Sequence, residues 1–300
     1  MDFKKKLANR FRCSLTVISP SLNAKVLHRV KTGRWLNFDK PVTLADKLVT
    51  LKIRSYNKDP QVKICADKYQ VRSYVEEKGL GSILNELIVA YDSVDDIDWD
   101  SLPQQFAMKW NFGCGHNIIC SDKSKLDIHE AAAKLKKWEK TYRDNYLSYA
   151  ELQYKGVPKK IIVEKFLKPS SGDLPPDYKL YCFNGEPLAV LYIEERNKKN
   201  HPAGFFDLDW NYLGSPKKEN RGNIEAVYRG FEKMPEKPRS LDVMADAARK
   251  LSEGFPFVRC DFYDVDGRCV FGEMTFTPAG GHDVSETDIN GRSMADYLQI

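Results

Sequence analysis

Between Phe106 and Trp110 apolar and polar positions alternate: Phe106, Met108 and Trp110 fall on one side, Ala107 and Lys109 on the other, which is the period of a half-buried strand. The strand runs into Asn111-Phe-Gly113-Cys114-Gly115-His116-Asn117 and out through Ile118-Ile-Cys120, so the pattern predicts a hairpin with a glycine-rich tip. Further strands are predicted over Ile161–Phe166, Tyr178–Phe183, Leu188–Ile193, Phe257–Phe262 and Arg268–Phe276, the second and third joined by Asn184-Gly185, a strong hairpin signal. Helical spacing covers Asp67–Lys78, stopped by Gly79, then Ile128–Tyr146 and Leu241–Ser252. Asp92–Asp100 has too many short polar side chains for a helix interior and reads as an acidic linker. The Pro-, Gly-, Asn- and Lys-rich residues 197–240 read as a long surface excursion. The first 66 residues read as short mixed elements, among them Ser14-Leu-Thr-Val-Ile18 closed by Ser19-Pro20. The class is therefore α+β.

Composition narrows this picture. Three hundred residues are about twice the one-domain prior, and 42% hydrophobic with 30% charged residues describes a globular chain with a sizeable core. No run approaches the roughly 18 apolar residues of a bilayer span, and no signal-peptide run follows Lys4-Lys5-Lys6, so a cytoplasmic location is expected. Seven cysteines, odd in number and without a CxxC pair, read as reduced thiols, and five scattered histidines give zinc no first shell.

Charge changes the picture most. The net +5 hides a split: residues 1–75 carry 17 Lys/Arg against 5 Asp/Glu, the remainder 30 against 37. A basic first quarter suits an anionic substrate or an anionic membrane surface, and Lys4-Lys5-Lys6 beside Phe3 is a small anchor for peripheral contact with the inner membrane face. No helix-turn-helix, RNP or zinc-finger pattern accompanies the basic residues, so no nucleic-acid partner is expected.

The last hairpin concentrates the chemistry. A three-residue loop Val265-Asp266-Gly267 pairs Asp264 with Arg268 and Arg259 with Glu273, placing Arg259, Asp261, Glu273 and Thr275 on one face and Val258, Cys260, Phe262, Val270 and Met274 on the other. Two carboxylates and an arginine on one sheet face suit Mg²⁺ bridging phosphates, or else a solvated face with a cross-strand Arg259–Glu273 pair. Lys109, feeding the Gly113–Gly115 tip, offers a positive charge and open backbone N–H groups to a polyphosphate; a plain hairpin with a flexible tip is the alternative. Neither GxxxxGK[ST] nor a GxGxxG leading into a helix is present. Ile161-Ile-Val-Glu164-Lys165-Phe166-Leu167 ends in charged residues beside apolar walls, a place for an adenine or an ordinary edge strand.

In this order, Lys109 before the glycine tip, then Glu164-Lys165-Phe-Leu167, then Arg259-Cys-Asp261 and, twelve residues on, Glu273-Met-Thr275-Phe-Thr-Pro-Ala-Gly280, the chain resembles the TupA-like (teichuronopeptide-biosynthesis) ATP-grasp family from Asp67-Lys68-Tyr69 to near the C-terminus. The resemblance implies the ATP-grasp fold: two α+β subdomains clasping ATP, here over 105–160 and 161–300 with an insertion at 197–240, preceded by a basic lobe (1–66) and by a helix and acidic linker (67–104). It implies that Lys109 and Lys179 hold ATP phosphates under Gly113, Cys114, Gly115 and His116, that Glu164, Lys165 and Leu167 frame the adenine, and that Asp261 and Glu273 ligate Mg²⁺. Thr275 stands where better-known ATP-grasp ligases carry an asparagine ligand. The resemblance further implies that Arg259 lies against the transferring phosphate and the oxyanion and that Gly280 or Gly281 offers a backbone donor; Arg196 is a further phosphate candidate or else a solvated surface arginine. The implied activity is an ATP- and Mg²⁺-dependent carboxylate–amine ligase that forms ADP and phosphate and joins an amino acid to an acidic sugar in cell-surface polysaccharide biosynthesis. A glycosyltransferase or sugar kinase of the same pathway, or a non-catalytic nucleotide-binding module, is the alternative.

Overall fold

The computed structural model describes residues 3–170, 174–195, 201–220, 223–226, 228–282 and 284–300. Where the local pattern predicts short mixed elements in residues 1–66, the described residues are helical: α1 (Phe3–Ile18), α2 (Pro20–Thr32), α3 (Leu44–Leu51, continued as a π turn over Lys52–Tyr56) and α4 (Pro60–Ala66). Ser19-Pro20 does not close a strand. Ser19 is the N-cap of α2, accepting from the Leu22 N–H at 3.2 Å, and Pro20 sits in the first turn, where its missing N–H costs nothing. The β-branched Thr16-Val17-Ile18 stays helical because Thr16 Oγ1 donates to the Leu147 carbonyl at 2.6 Å, a contact 131 residues away that no local propensity encodes.

A short helix α5 (Val71–Glu77) follows, and Asp67 turns the chain into it by accepting the Tyr69 and Gln70 N–H groups at 2.8 and 3.2 Å. Next come β1 (Leu87–Tyr91), which the sequence reading did not anticipate, β2 (Phe106–Trp110), β3 (Asn117–Cys120), the long helix α6 (Ile128–Ser148) and β4 (Ile161–Lys165). These strands form an antiparallel sheet in the order β1-β4-β2-β3. β4 thus completes the first sheet, and a division placed before residue 161 cuts that sheet in two. One face of β2 packs Phe106, Met108 and Trp110 with Ile161, Val163 and Leu135, which leaves Lys109 on the opposite face.

β5 (Asp177–Phe183) and β6 (Glu186–Ile193) are joined at Asn184-Gly185, whose φ angles of 52° and 87° are those of a type I′ turn. Then follow β7 (Ala203–Phe206), β8 (Tyr212–Gly214), β9 (Lys217–Asn220), β10 (Asn223–Ala226), α7 (Leu241–Ser252), β11 (Phe257–Val265) and β12 (Arg268–Thr275), with β13 (Asp288–Ile289), β14 (Arg292–Ser293) and α8 (Met294–Tyr297) closing the chain. The large antiparallel sheet runs β12-β11-β5-β6-β7-β8. Residues 197–240 are therefore not all surface: Ala203, Phe205 and Phe206 are buried as β7, and the Phe206 ring stacks on Trp210 at 4.3 Å. Their apolar side chains extend the core of the large sheet, whereas the Pro and Gly content marks only the turns around them.

The segment from Asp67 to Glu77 is the seam between the two sheets. Val71, Tyr74 and Val75 enter the core of the large sheet, the Lys68 N–H donates to the Asn111 carbonyl at the end of β2, and Tyr56 of the helical lobe bonds the backbone of Phe257 in β11.

Candidate active site between the two sheets

The β11–β12 ribbon differs in register from the sequence reading. Its turn is the two-residue Asp266-Gly267, with φ angles of 55° and 88°, so Val265 opposes Arg268. A bulge then shifts the pairing, and Asp261 opposes Glu273 while Arg259 opposes Thr275. Glycine at 272 makes this possible, because a Cβ there would lie 3.0 Å from the Asp261 carbonyl. Arg259, Asp261, Glu273 and Thr275 do share one face, as the period of two predicts, but the directly opposed pair is two carboxylates and not Arg259–Glu273.

Two opposed carboxylates repel unless cations lie between them. Arg259 grips Asp261 through Nε and Nη2 at 2.7 and 2.8 Å, and Lys179 on β5 reaches Asp261 Oδ2 at 2.5 Å and Asp177 at 3.2 Å. Lys68 reaches Glu273 Oε2 at 3.1 Å and donates to the Gly113 carbonyl at 2.9 Å. Thr275 Oγ1 accepts from Arg259 at 3.3 Å and donates to Glu273 at 3.5 Å. Burial pushes the Glu273 carboxyl up, but Lys68, then Lys179 and Arg259, more than offset this and hold it below the usual carboxylate range. Burial pulls Lys68 down, and Glu273 outweighs it, so Lys68 stays firmly protonated.

A second pair lies on the small sheet. Lys109 Nζ is 2.8 Å from Glu164 Oε2 and Arg72 Nη1 is 3.3 Å from Oε1, while Arg72 also donates to the Asn85 carbonyl at 2.8 Å. Lys68 and Arg72, one helical turn apart at the seam, thus carry one cation to each sheet. Five cations (Lys68, Arg72, Lys109, Lys179, Arg259) face four acids (Glu164, Asp177, Asp261, Glu273).

The glycine tip folds over this cluster. Gly113 and Gly115 have φ of 75° and 72°, and His116 turns back under Gly113, its ring stacked on Trp138 at 5.2 Å; a Cβ on Gly113 would meet the imidazole at 2.9 Å. Cys114 is exposed at the tip. At the end of β4, the Lys165 side chain points outward to Glu86 at 3.4 Å and not into the cleft, and Asn85 caps its carbonyl at 2.9 Å. Beyond it Phe166 and Leu167 leave the sheet.

Gly280 is placed differently from its expected role. Its N–H donates to the Thr277 carbonyl at 2.9 Å, so it is not an open oxyanion donor in this conformation; its carbonyl accepts from the buried Lys52 at 2.6 Å, and a Cβ would strike Tyr149 at 2.6 Å. Burial lowers the Lys52 ammonium to about 8. Thr277, at the base of the same loop, is held by Glu151 at 2.5 Å and Gln153 at 3.1 Å. Arg196 lies outside the described residues. Lys68, Arg72 and Lys52 escaped the sequence reading; for Lys68 the available signal was its place directly after the helix-turning Asp67.

No cluster of three His, Cys, Asp or Glu side chains able to hold a metal occurs among the described residues. Two opposed carboxylates beside one hydroxyl nevertheless fit Mg²⁺, which binds through one or two carboxylates and takes its other ligands from water and phosphates.

The sequence profile places the chain in the ATP-grasp class, in which the small sheet with its glycine-tipped hairpin is here tied by a lysine to an acidic ribbon on the larger sheet. Within it, the chain belongs to the TupA-like ATP-grasp family, whose sequence profile matches residues 46–297. No curated protein matches the chain in sequence. Among solved structures, D-alanine–D-alanine ligase from Bacillus anthracis is 17% identical with a TM-score of 0.39, covering 72% of this chain and 58% of that one. The ATP-grasp ligase PsnB complexed with a minimal precursor is 14% identical with a TM-score of 0.40, covering 84% and 67%. Phosphoribosylamine–glycine ligase from Thermotoga maritima is 11% identical with a TM-score of 0.40, covering 73% and 51%. The chain thus spans between about half and two thirds of the length of these proteins.

Proposed function

We propose that the chain is an ATP- and Mg²⁺-dependent carboxylate–amine ligase that joins an amino acid to an acidic sugar in cell-surface polysaccharide biosynthesis. The observation that carries this reading is the Lys68 bridge between the Gly113 carbonyl and Glu273, which sets the glycine tip against the acidic ribbon. A nucleotide's triphosphate entering there meets Lys109 from the small sheet and Lys68, Lys179 and Arg259 from the seam and the large sheet. These cations exchange part of their contact with Glu164, Asp261 and Glu273 for phosphate oxygens, so binding replaces one set of charge-assisted bonds with another and leaves no charge buried alone. Mg²⁺, when bound, would be held by Asp261 and Glu273 and would supply Lewis-acid stabilisation of phosphate charge.

In the first step a carboxylate oxygen of the acceptor attacks the γ-phosphorus, the bond to the β-phosphate oxygen breaks, and an acyl phosphate and ADP form. In the second, the amine nitrogen attacks the acyl carbon, a C–N bond forms, phosphate leaves with the bonding pair, and the nitrogen loses a proton. Arg259 and Lys179 spread the charge of the transferring group. No covalent protein nucleophile is required.

The test is incubation of the protein with ATP, Mg²⁺, an amino acid and glucuronic or galacturonic acid. ADP with free phosphate in step with amide formation supports the ligase. ADP without free phosphate identifies a kinase, UDP released from a sugar nucleotide identifies a glycosyltransferase, and no turnover alongside nucleotide binding identifies a passive module.

A further inference from the structure

We propose that the outward face of α1 and α2 docks on an anionic lipid surface. This lies outside the clasp and does not depend on which reaction the clasp performs: the first 45 residues precede the stretch matched by the family profile.

From Phe3 to Phe38 the sequence has nine Lys/Arg and no Asp or Glu. Of fifteen large apolar side chains exposed among the described residues, eight belong to residues 7–42: Leu7, Phe11, Val17, Ile18, Leu22, Val30, Trp35 and Val42. On α1, Leu7, Phe11, Ser14 and Ile18 follow the i, i+4, i+7, i+11 spacing of a single stripe, with Lys6 and Arg10 beside it. Phe11 is 57% exposed and Ile18 78%.

This stripe is not waiting for the protein's own core. The inner face of α1 already packs on α6, through Thr16 to the Leu147 carbonyl at 2.6 Å, Cys13 Sγ to the Asp144 carbonyl at 3.6 Å, and Arg12 over the Tyr149 ring at 5.5 Å. α2 repeats the outward arrangement, with Leu22, Arg29 and Val30 exposed.

The charge pattern selects the occupant. A second copy of the same face would bring two acid-free cationic surfaces together, and like charges in juxtaposition oppose that contact. Nucleic acid would use the cations but gain nothing from an exposed leucine, phenylalanine and isoleucine at the centre of the stripe. An anionic bilayer satisfies both halves: its headgroup phosphates take the Lys and Arg, and its acyl boundary takes the aliphatic and aromatic side chains. No described helix is long and apolar enough to cross a membrane, so the contact is one of lying on the surface. It would hold the clasp beside whatever acceptor is presented there.

The experiment is co-sedimentation of the full chain with vesicles of phosphatidylcholine alone and with vesicles in which half of the lipid is phosphatidylglycerol. The expected result is binding to the anionic vesicles only, weakened by high salt, and reduced about tenfold or more in Phe11→Ser/Ile18→Ser and in Arg10→Glu/Arg29→Glu. All four positions are exposed and none is among the clasp residues, so thermal unfolding and MgATP binding stay at parental values in both variants. Equal binding to both vesicle types, no binding, or binding unchanged in both variants overturns the proposal. So does a dimer, seen by light scattering, that the serine variant dissolves, since the face then belongs to a second copy. A fixed stoichiometric complex with polyglutamate that outcompetes the vesicles overturns it in favour of an acidic protein partner.

Discussion

In the cleft, Asp261 lies between Arg259 and Lys179, Glu164 between Lys109 and Arg72, and Glu273 against Lys68. Along the outer face of α1 and α2, Arg10 and Arg29 stand in solvent within a stretch that contains no acid at all. Both regions are rich in cations, and both draw on the basic first quarter of the chain, which sends Lys52, Lys68 and Arg72 inward and Arg10 and Arg29 outward. The difference is in how the charge is balanced. Buried cations need internal counter-charges, because leaving one unpaired away from water costs several kcal/mol; exposed cations are hydrated and leave their balance to an external partner. An internal mesh can therefore exchange its acids for a polyphosphate, whereas a solvated face can only adhere.

The comparison can be broken most sharply at Glu273. Glu273→Gln removes one charge at nearly constant volume, and turnover is expected to fall about a thousandfold through lost metal binding, with the fold retained by circular dichroism; unchanged activity removes the metal assignment. Lys68→Met comes next. With the bridge to the glycine tip gone, the ATP concentration for half-maximal rate should rise roughly 10- to 100-fold, and an unaltered ATP requirement would mean that the bridge is only structural.

Asp46 sharpens the contrast within the helical lobe itself. It caps α3 in a capping box with Thr43 and pairs with His28 at 3.0 Å and Arg34 at 3.4 Å. Burial raises its carboxyl, but His28, the Thr43 and Val42 amides and Arg34 outweigh this and hold it below the usual aspartate range. A folded-state value below the unfolded one means that the unfolded chain binds more protons in acid. The stabilisation is thus complete above pH ~4 and lost as pH falls below it. Asp46→Asn should cost roughly 3 kcal/mol at pH 7 in urea unfolding and progressively less as pH is lowered from about 4 towards 2; an equal loss at both ends of that range would show that charge is not the cause. At the small end, Arg10→Ala and Arg29→Ala should each shift stability by less than about 0.5 kcal/mol. A larger loss would mean that the outer face is part of the folded-state balance after all.

Much of the clasp was legible one strand at a time. Phe106, Met108 and Trp110 alternate as they pack, Asn184-Gly185 makes its hairpin, and Arg259, Asp261, Glu273 and Thr275 share a face, because a period of two is local information. The register of the last ribbon was not legible. The Gly272 bulge depends on close approach to the Asp261 carbonyl, and glycine alone does not announce it. Thr16-Val17-Ile18 misled in the opposite direction, since its β-branched residues favour a strand until α6 offers the Leu147 carbonyl. β7 was hidden in a Pro- and Gly-rich context that describes its turns and not its buried aromatic residues. Gly280 was expected to present an open amide, which the loop itself consumes at the Thr277 carbonyl.

The chain by itself determined the inventory: two carboxylates and an arginine on one ribbon face, a lysine entering a glycine tip, and an acid-free basic start. These follow from side-chain chemistry and from the short periods of strands and helices, which need no knowledge of the rest of the molecule. Only the tertiary structure decided that Asp261 faces Glu273, that Lys68 ties the tip to the ribbon, that Gly280 is held by Lys52, and which face of α1 is left in solvent. Those are distances between residues far apart in the chain, set by how two sheets and a helical lobe fill space together, and no local pattern carries them.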